Sequence, residues 1–253
     1  MNLASRQLEA QLCTATQDVE RLRLLLALAT ELQESEPARG YDFSRQAVAL
    51  STELQDLYAL AEAEMCCGQN IRAKEGALTA IPFFDSAALR FEALGEWSRQ
   101  AYALYYLGGA CAVANMLEMA QQNISRSGEL FEQLGDRYGQ AKVLQGTALT
   151  MSRSSKLDEA IEFTQAAIRI YRELPEGKID LGYSLFNVAS LLADQKRAGD
   201  GIAYLQEAVE IAHVTKKTRL LSVSVGQLGV AYAAQREIEP ARKCFREALE
   251  LAK

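Results

Sequence analysis

The sequence predicts an all-α protein, built as a solenoid of stacked helix pairs. Pro and Gly, which mark turns, number only 4 and 16 among 253 residues, too few for the many turns of an all-β or α/β domain. Hydrophobic residues, at 49%, supply ample material for a core, which disfavours disorder. The third and strongest observation is internal repetition, with a period of 40 residues.

The repeat is clearest in three segments that each end a predicted helix. They are residues 91–97, 131–137 and 171–177, and each begins 40 residues after the one before. In each segment an aromatic residue precedes a Leu by three positions, and a Gly or Pro follows as a helix stop signal. Helix ends that recur at one spacing predict a repeated structural unit.

Each unit carries two helical stripes of apolar residues, and each stripe contains a small residue. Spacings of three and four place the large apolar residues on one helix face. The small residue lets the partner helix approach closely, which predicts a helix–turn–helix unit. The small residues of the first helices are Ala29, Gly68, Gly108, Ala148, Ala189 and Gly229, and those of the second helices are Gly40, Ala80, Ala120, Ala160, Gly201 and Ala241.

Six such units in register resemble the tetratricopeptide repeat. The sixth unit shows the family's order of small and aromatic residues as Leu228, Gly229, Tyr232, Ala241, Phe245 and Ala248. The period is longer than the usual ~34 residues, and it resembles the longer-helix type found in kinesin light chains and in bacterial peptide-sensing regulators. The resemblance implies a right-handed superhelix, with the first helix of each repeat lining a concave groove.

We predict a capping helix over residues 1–16, followed by the six repeats. In the cap, Leu3, Leu8 and Leu12 would cover the open face of the first repeat. At the other end, Ala248, Leu249 and Leu251 would leave an apolar face open, which predicts either a fragment of a longer protein or a self-associating end. The repeats are expected at about 17–57, 58–97, 98–137, 138–178, 179–218 and 219–253.

Charge and composition argue against nucleic acid and a membrane as partners, and they predict the cellular compartment. Acidic residues outnumber basic ones 33 to 27 and are interspersed with them, which argues against direct binding to nucleic acid. The longest apolar run, residues 24–29, is too short to cross a membrane. The five cysteines fit no disulfide or zinc pattern, and the first residues of the sequence lack the apolar stretch of a signal peptide, so we expect a cytoplasmic protein.

The residues that catalysis or metal binding would need do not occur in the right patterns. His213, the single histidine, is expected near a helix end, without Cys or Asp at ligand spacing. Adjacent helical residues point about 100° apart, so Cys66 and Cys67 are not expected to form a disulfide. We therefore predict a chain that is not an enzyme and has no metal and no cofactor.

The predicted groove carries aromatic and polar side chains, which suit peptide binding. By resemblance, Asn187 would hold the ligand backbone, with Gln227 in the same place one repeat later. Lys142 and Arg153 could pair with a ligand carboxylate. For Tyr102 and Tyr105, packing between helices is the alternative, whereas Tyr106 and Asn187 are the stronger candidates for contact. The predicted binding set is Tyr102, Tyr105, Tyr106, Lys142, Gln145, Arg153, Tyr183, Phe186, Asn187 and Gln227.

The sequence therefore predicts a non-catalytic module that binds a protein or peptide segment in its groove. The expected context is the regulatory or sensory N-terminal region of a larger bacterial signalling protein, such as a cyclase or a transcriptional regulator. The alternative is a scaffold that forms homodimers through its C-terminal end.

Overall fold

The computed structural model describes residues 3–251, and the regular secondary structure in that range is entirely helical. This confirms the predicted all-α solenoid class. The α-helices are α1 (Leu3–Thr14), α2 (Asp18–Glu31), α3 (Pro37–Glu53), α4 (Leu57–Glu75), α5 (Ala77–Leu94), α6 (Trp97–Val113), α7 (Leu117–Gln133), α8 (Arg137–Arg153), α9 (Leu157–Glu173), α10 (Lys178–Asp194), α11 (Ile202–Thr215), α12 (Thr218–Ala234) and α13 (Ile238–Leu251). Short 3-10 helices cover Pro175–Gly177 and Ala198–Gly201.

The turns between helices are short and chemically defined. The Asp56 carboxylate accepts a hydrogen bond from the backbone N–H of Ala59 and caps α4, and Asp136 caps α8 through Gly139 in the same way. Gly95 ends α5 in the left-handed conformation, with φ of 72°. Polar residues adopt the same conformation after other helices, for example Asn115 after α6 and Ser155 after α8. These caps fix where α4 and α8 begin and where α5, α6 and α8 end.

The first compact unit comprises Met1–Gly135 and contains α1 to α7. Its helix pairs pack through the predicted combination of a small and a large residue. A Cβ atom on Gly68 would lie 2.5 Å from Cε1 of Phe84, and one on Gly108 would lie 2.7 Å from Cγ1 of Ile124. The expected close approach is therefore confirmed at both crossings. In the cap, Leu12 packs against the first repeat, whereas the side chain of Leu3 lies outside the described residues.

The second compact unit comprises Asp136–Lys253 and contains α8 to α13. Leu185, Val188, Leu205 and Leu220 are fully buried in its core. Gly229 on α12 faces Phe245 on α13, where an added Cβ would lie 2.8 Å from Cε1 of the ring. The close approach is therefore confirmed here as well.

The last helix, α13, has a narrower open face than we expected. Ala248 and Leu251 pack against the core of the second unit, and only Leu249 of the three predicted residues is exposed. Residues three apart on a helix share a face, while the residue next to Ala248 points elsewhere. The sequence prediction was therefore wrong for Ala248 and Leu251. The residue boundaries of the six repeats stay a prediction.

Candidate functional site

The predicted binding residues divide between the two units. Three tyrosines, at positions 102, 105 and 106, lie on α6 of the first unit. The second unit holds the rest, with Lys142, Gln145 and Arg153 on α8, Tyr183, Phe186 and Asn187 on α10, and Gln227 on α12.

The tyrosines of α6 are half-buried against other aromatic rings. Tyr106 stacks on Phe84 with ring centroids 5.6 Å apart, and Tyr105 meets Tyr106 edge-on at 5.3 Å. Tyr102 meets the fully buried Phe131 at 4.8 Å. Offset and edge-on ring contacts of this kind stabilise packing. The geometry supports the packing alternative for Tyr102 and Tyr105. Tyr106, which was the stronger candidate for ligand contact, packs against other rings in the same way.

The start of α8 carries an ionic network that joins it to α10. Lys142 Nζ lies 2.6 Å from one oxygen of Asp180, and the Tyr138 hydroxyl donates to the other oxygen at 2.5 Å. The ammonium also lies 5.3 Å from the centre of the Tyr138 ring. Burial raises the pKa of Tyr138, and the hydrogen bond to the Asp180 carboxylate raises it further. Lys142 therefore has its carboxylate partner within the protein.

Gln145, one turn further along α8, is held on both sides of its amide. Its Oε1 accepts a hydrogen bond from the Tyr171 hydroxyl at 2.9 Å, and its Nε2 donates to Ser184 Oγ at 2.7 Å. Ser184 in turn donates to the backbone carbonyl of Asp180 at 2.8 Å. A network in which each member has its partner orders the surface around it.

A cleft of about 210 Å³ opens beside this network, between α8, α9 and α10. It has an apolar part at Leu149 and Leu191 and polar groups from hydroxyl, amide and carboxylate side chains. Asn187 is exposed at the cleft, and within residues 3–251 no hydrogen bond involves its side-chain amide. The lining residues are Gln145, Ala148, Leu149, Ser152, Thr164, Asn187, Ser190, Leu191 and Asp194.

The structure thus brings together two of the predicted residues, Gln145 and Asn187, at one cleft. Tyr183 and Phe186 instead pack against the core of the second unit. Arg153 is exposed at the end of α8, and Gln227 is half-buried on α12, and neither lines the cleft. The groove assignment for these residues stays a prediction.

Several residues that line the cleft or form the hydrogen-bond network beside it were not predicted as site residues from the sequence. Asp180 and Ser184 orient Lys142 and Gln145, and Thr164 enters from the second helix of the pair. A usable signal was present, since Asp180 and Ser184 follow their partners by 38 and 39 residues, close to one repeat. Polar pairs at that separation can meet across neighbouring repeats.

Thiols, histidine and acidic clusters offer no second chemical centre in the part of the chain that the structure describes. No group of three or more His, Cys, Asp or Glu residues comes together there to hold a metal. Cys66 and Cys67 are free, and burial raises the pKa of each thiol to about 11, so the reactive thiolate is scarce at neutral pH. His213 lies in the last turn of α11, as predicted. Over residues 3–251 no helix is both long and apolar enough to span a membrane.

Comparison with known proteins places the fold. The family model of the tetratricopeptide repeat matches residues 180–253. A signal transduction ATPase with numerous domains from Pyrococcus horikoshii, which has a tetratricopeptide repeat sensor, matches 99% of this chain at 17% identity and a TM-score of 0.68, over 40% of its own length. Aspartyl phosphate phosphatase F from Bacillus subtilis matches 97% at 15% identity and 0.71, over 63% of its length.

A third structure is the Rap conjugation gene regulator of plasmid pLS20 in complex with the Phr* peptide. It matches 92% of this chain at 12% identity and a TM-score of 0.72, over 66% of its own length. At such low identity these neighbours show the fold alone. No curated protein matches the chain by sequence. The match over residues 180–253, together with the shared fold, supports a tetratricopeptide-repeat protein, as the sequence predicts.

Proposed function

We propose that this chain is a non-catalytic repeat module that binds a peptide or an extended protein segment. The observation that supports this most is the cleft between α8 and α10, where the exposed side-chain amide of Asn187 lies near the apolar side chains of Leu149 and Leu191. A side-chain amide offers both donors and an acceptor, the same groups that a peptide bond needs from its partner.

The size of the cleft fits part of a peptide. Sites that enclose a whole small molecule usually measure about 300–1,000 Å³, and this cleft measures about 210 Å³. It has room for one or two side chains of a longer ligand. Leu149 and Leu191 would contact an apolar side chain, and Asp194 would favour a basic one.

The neighbours support this proposal through their fold. One of them was solved with a peptide bound, and another carries its repeats as a sensor within a longer protein. We propose the same kind of role here, as the regulatory region of a larger bacterial signalling protein. A reading frame that continues beyond Lys253 into an output domain is the expected result, and a stop codon directly after Lys253 would contradict the larger-protein part.

Peptide-array screening followed by titration tests the binding proposal. We expect at least one peptide to bind, and Asn187→Ala to weaken its binding about tenfold or more, which is the size of a strong interface contact. Asn187→Asp keeps the shape and removes the amide donor, so it should weaken binding as well. Gln122→Ala, an exposed amide on α7, is the matched control and should leave the affinity unchanged. Equal affinities for all four proteins would refute the assignment.

The non-catalytic part has a direct test, because one structural neighbour is a phosphatase. We expect the purified chain to leave the hydrolysis rate of an aspartyl-phosphorylated protein unchanged. A rate that rises in proportion to the concentration of this chain would overturn that part.

All five cysteines are free, which supports a reducing, cytoplasmic compartment.

A homodimerising scaffold is the second candidate, and α13 supports it. Ile238, Phe245 and Leu249 are exposed there, beside a cleft of about 630 Å³ that includes Leu228, Tyr232 and Cys244. Sedimentation equilibrium would show a dimer that Leu249→Asp disrupts. A monomer at every concentration would exclude this role.

A further inference from the structure

Two neighbouring turns of the first unit expose an unusual number of large apolar side chains. The turn between α3 and α4 presents Leu54, Leu57 and Tyr58, and the turn between α5 and α6 presents Leu94 and Trp97. Leu57 is 52% exposed and Trp97, the single tryptophan, is 49% exposed. We call these five residues the Trp97 edge.

The two turns are held side by side by contacts beneath them. The Tyr58 ring meets the buried Phe91 edge-on at 5.9 Å, and Phe91 lies three residues before Leu94. Arg99, two residues after Trp97, forms a double hydrogen bond with Glu62 on α4. Its guanidinium also lies 5.7 Å from the centre of the Phe91 ring. These contacts place the two turns of the Trp97 edge next to each other.

The Trp97 edge carries negative charge and no basic side chain within its two turns. Glu53, Asp56 and Glu96 are exposed within the two turns, and residues 50–58 and 91–98 contain no Lys, Arg or His. The arginines next to the turns already pair with other acids. Arg99 pairs with Glu62, Arg90 with Glu64 and Arg126 with Glu92.

We propose that the Trp97 edge docks a cationic amphipathic segment of a partner protein. Exposed apolar patches rimmed by polar residues mark interaction sites, and Trp and Tyr are enriched at the energetically important positions of protein interfaces. Apolar residues of the segment would cover Leu57 and Trp97, and its Lys or Arg residues would lie beside Glu53 and Glu96. A second copy docked edge to edge fits less well, because it would place Glu53 and Glu96 of one edge against the same acids of the other.

The Trp97 edge shares no residue with the cleft of the second unit, so each site can be disrupted without changing the other. The test uses a fluorescein-labelled Leu/Lys amphipathic peptide of about 15 residues, long enough for a helix, and matched Leu/Glu and Ser/Lys peptides. Fluorescence anisotropy gives the affinity, and emission from Trp97 reports contact at the edge itself. The charge-reversal variant is Glu53→Lys/Glu96→Lys, and Glu129→Lys, an exposed acid on α7, is its control.

We expect the Leu/Lys peptide to bind and to shift Trp97 emission to shorter wavelength, as burial of an indole does. The double charge reversal should weaken binding about tenfold or more, while Glu129→Lys and Asn187→Ala should leave it within about twofold. Equal binding of the Leu/Glu peptide, an equal emission shift from the Ser/Lys peptide, or an unchanged affinity in the double variant would overturn the proposal. So would a concentration-dependent dimer that buries Trp97, because the occupant would then be a second copy.

Discussion

Helices α6 and α8 occupy the same position in two consecutive predicted repeats, yet their side chains differ. Both have 17 residues, and each residue of α8 lies 40 positions after its counterpart on α6. Tyr102 and Tyr105 of α6 correspond to Lys142 and Gln145 of α8. The aromatic residues of α6 pack on other rings, whereas the polar residues of α8 form hydrogen bonds next to a cleft. One backbone frame thus supports both a packing surface and a candidate recognition surface.

The difference has a simple physical origin. A ring such as Tyr106 gains stability by covering another ring, so it fills the space next to Phe84. The corresponding position on α8 is Gly146, which has no side chain. Amides and carboxylates are stabilised by hydrogen bonds to partners in particular directions, not by covering an apolar surface. Gln145 is therefore held by its hydrogen bonds, and the cleft beside it stays unfilled.

The largest expected effect comes from the packing surface of α6. Tyr106→Ala should lower the free energy of unfolding by about 2–3 kcal/mol, because it removes a half-buried ring from Phe84. Tyr106→Phe keeps the ring and should change stability by less than about 0.5 kcal/mol. Urea denaturation of the three proteins measures both. A Tyr106→Ala protein as stable as Tyr106→Phe would mean that the ring does not pack, and the contrast between α6 and α8 would be lost.

The next effect tests the crossing of α6 with α7. Gly108→Ala should cost about 1–2 kcal/mol, because its Cβ would lie 2.7 Å from Ile124 and 3.1 Å from the carbonyl oxygen of Ala120. The adjacent Gly109 has no atom within 4 Å of an added Cβ, so Gly109→Ala should be neutral or stabilising by up to about 1 kcal/mol.

The corresponding pair in the next repeat sharpens this test. It is Ala148 and Thr164, which combine a larger residue on the first helix with a smaller one on the second. Adding Ile124→Thr to Gly108→Ala should therefore recover part of the lost stability. Equal effects of Gly108→Ala and Gly109→Ala in thermal unfolding would contradict the packing assignment.

A smaller effect tests the ionic network of α8. Tyr138→Phe removes the hydrogen bond to Asp180 and should cost about 1 kcal/mol at pH 7, since Lys142 still pairs with that carboxylate. The folded protein raises the pKa of Tyr138 above its usual value of 10.0. The unfolded chain therefore releases this proton first, and the stability from the hydroxyl is lost as the pH rises above about 10.

Unfolding experiments from pH 7 to pH 11 measure this dependence. The stability of the natural sequence should fall more steeply above pH 10 than that of Tyr138→Phe, so the difference between the two should shrink. Parallel curves would show that Tyr138 is not held in the network. The matching position on α6 is Ser98, which does not titrate in this range.

The smallest effect on stability is expected at Asn187. Its side chain is exposed, and within residues 3–251 no hydrogen bond involves the amide. Asn187→Ala should therefore change the free energy of unfolding by less than about 0.5 kcal/mol. A loss above about 1 kcal/mol would assign Asn187 a structural role and remove the reason to expect it to contact a ligand.

The fold was predictable because its packing rule is local and periodic. Gly68 and Phe84, or Gly229 and Phe245, lie 16 residues apart within one helix pair, and the same spacing recurs along the chain. The cleft was predictable only in part. Periodicity identified the face that carries Gln145 and Asn187, but not which side chains find partners inside the protein. Lys142 and Tyr106 lie on the same predicted face, but Lys142 pairs with Asp180 and Tyr106 stacks on Phe84. These contacts depend on distances between helices, which a single sequence does not contain.

Peptide titration of Asn187→Ala, with its unfolding free energy measured on the same preparation, tests most directly whether α8 and α10 form a recognition surface. We predict an affinity at least about tenfold weaker than that of the natural sequence, with stability unchanged within about 0.5 kcal/mol. An unchanged affinity at unchanged stability would contradict the account, because the open amide at the cleft would then play no part in binding.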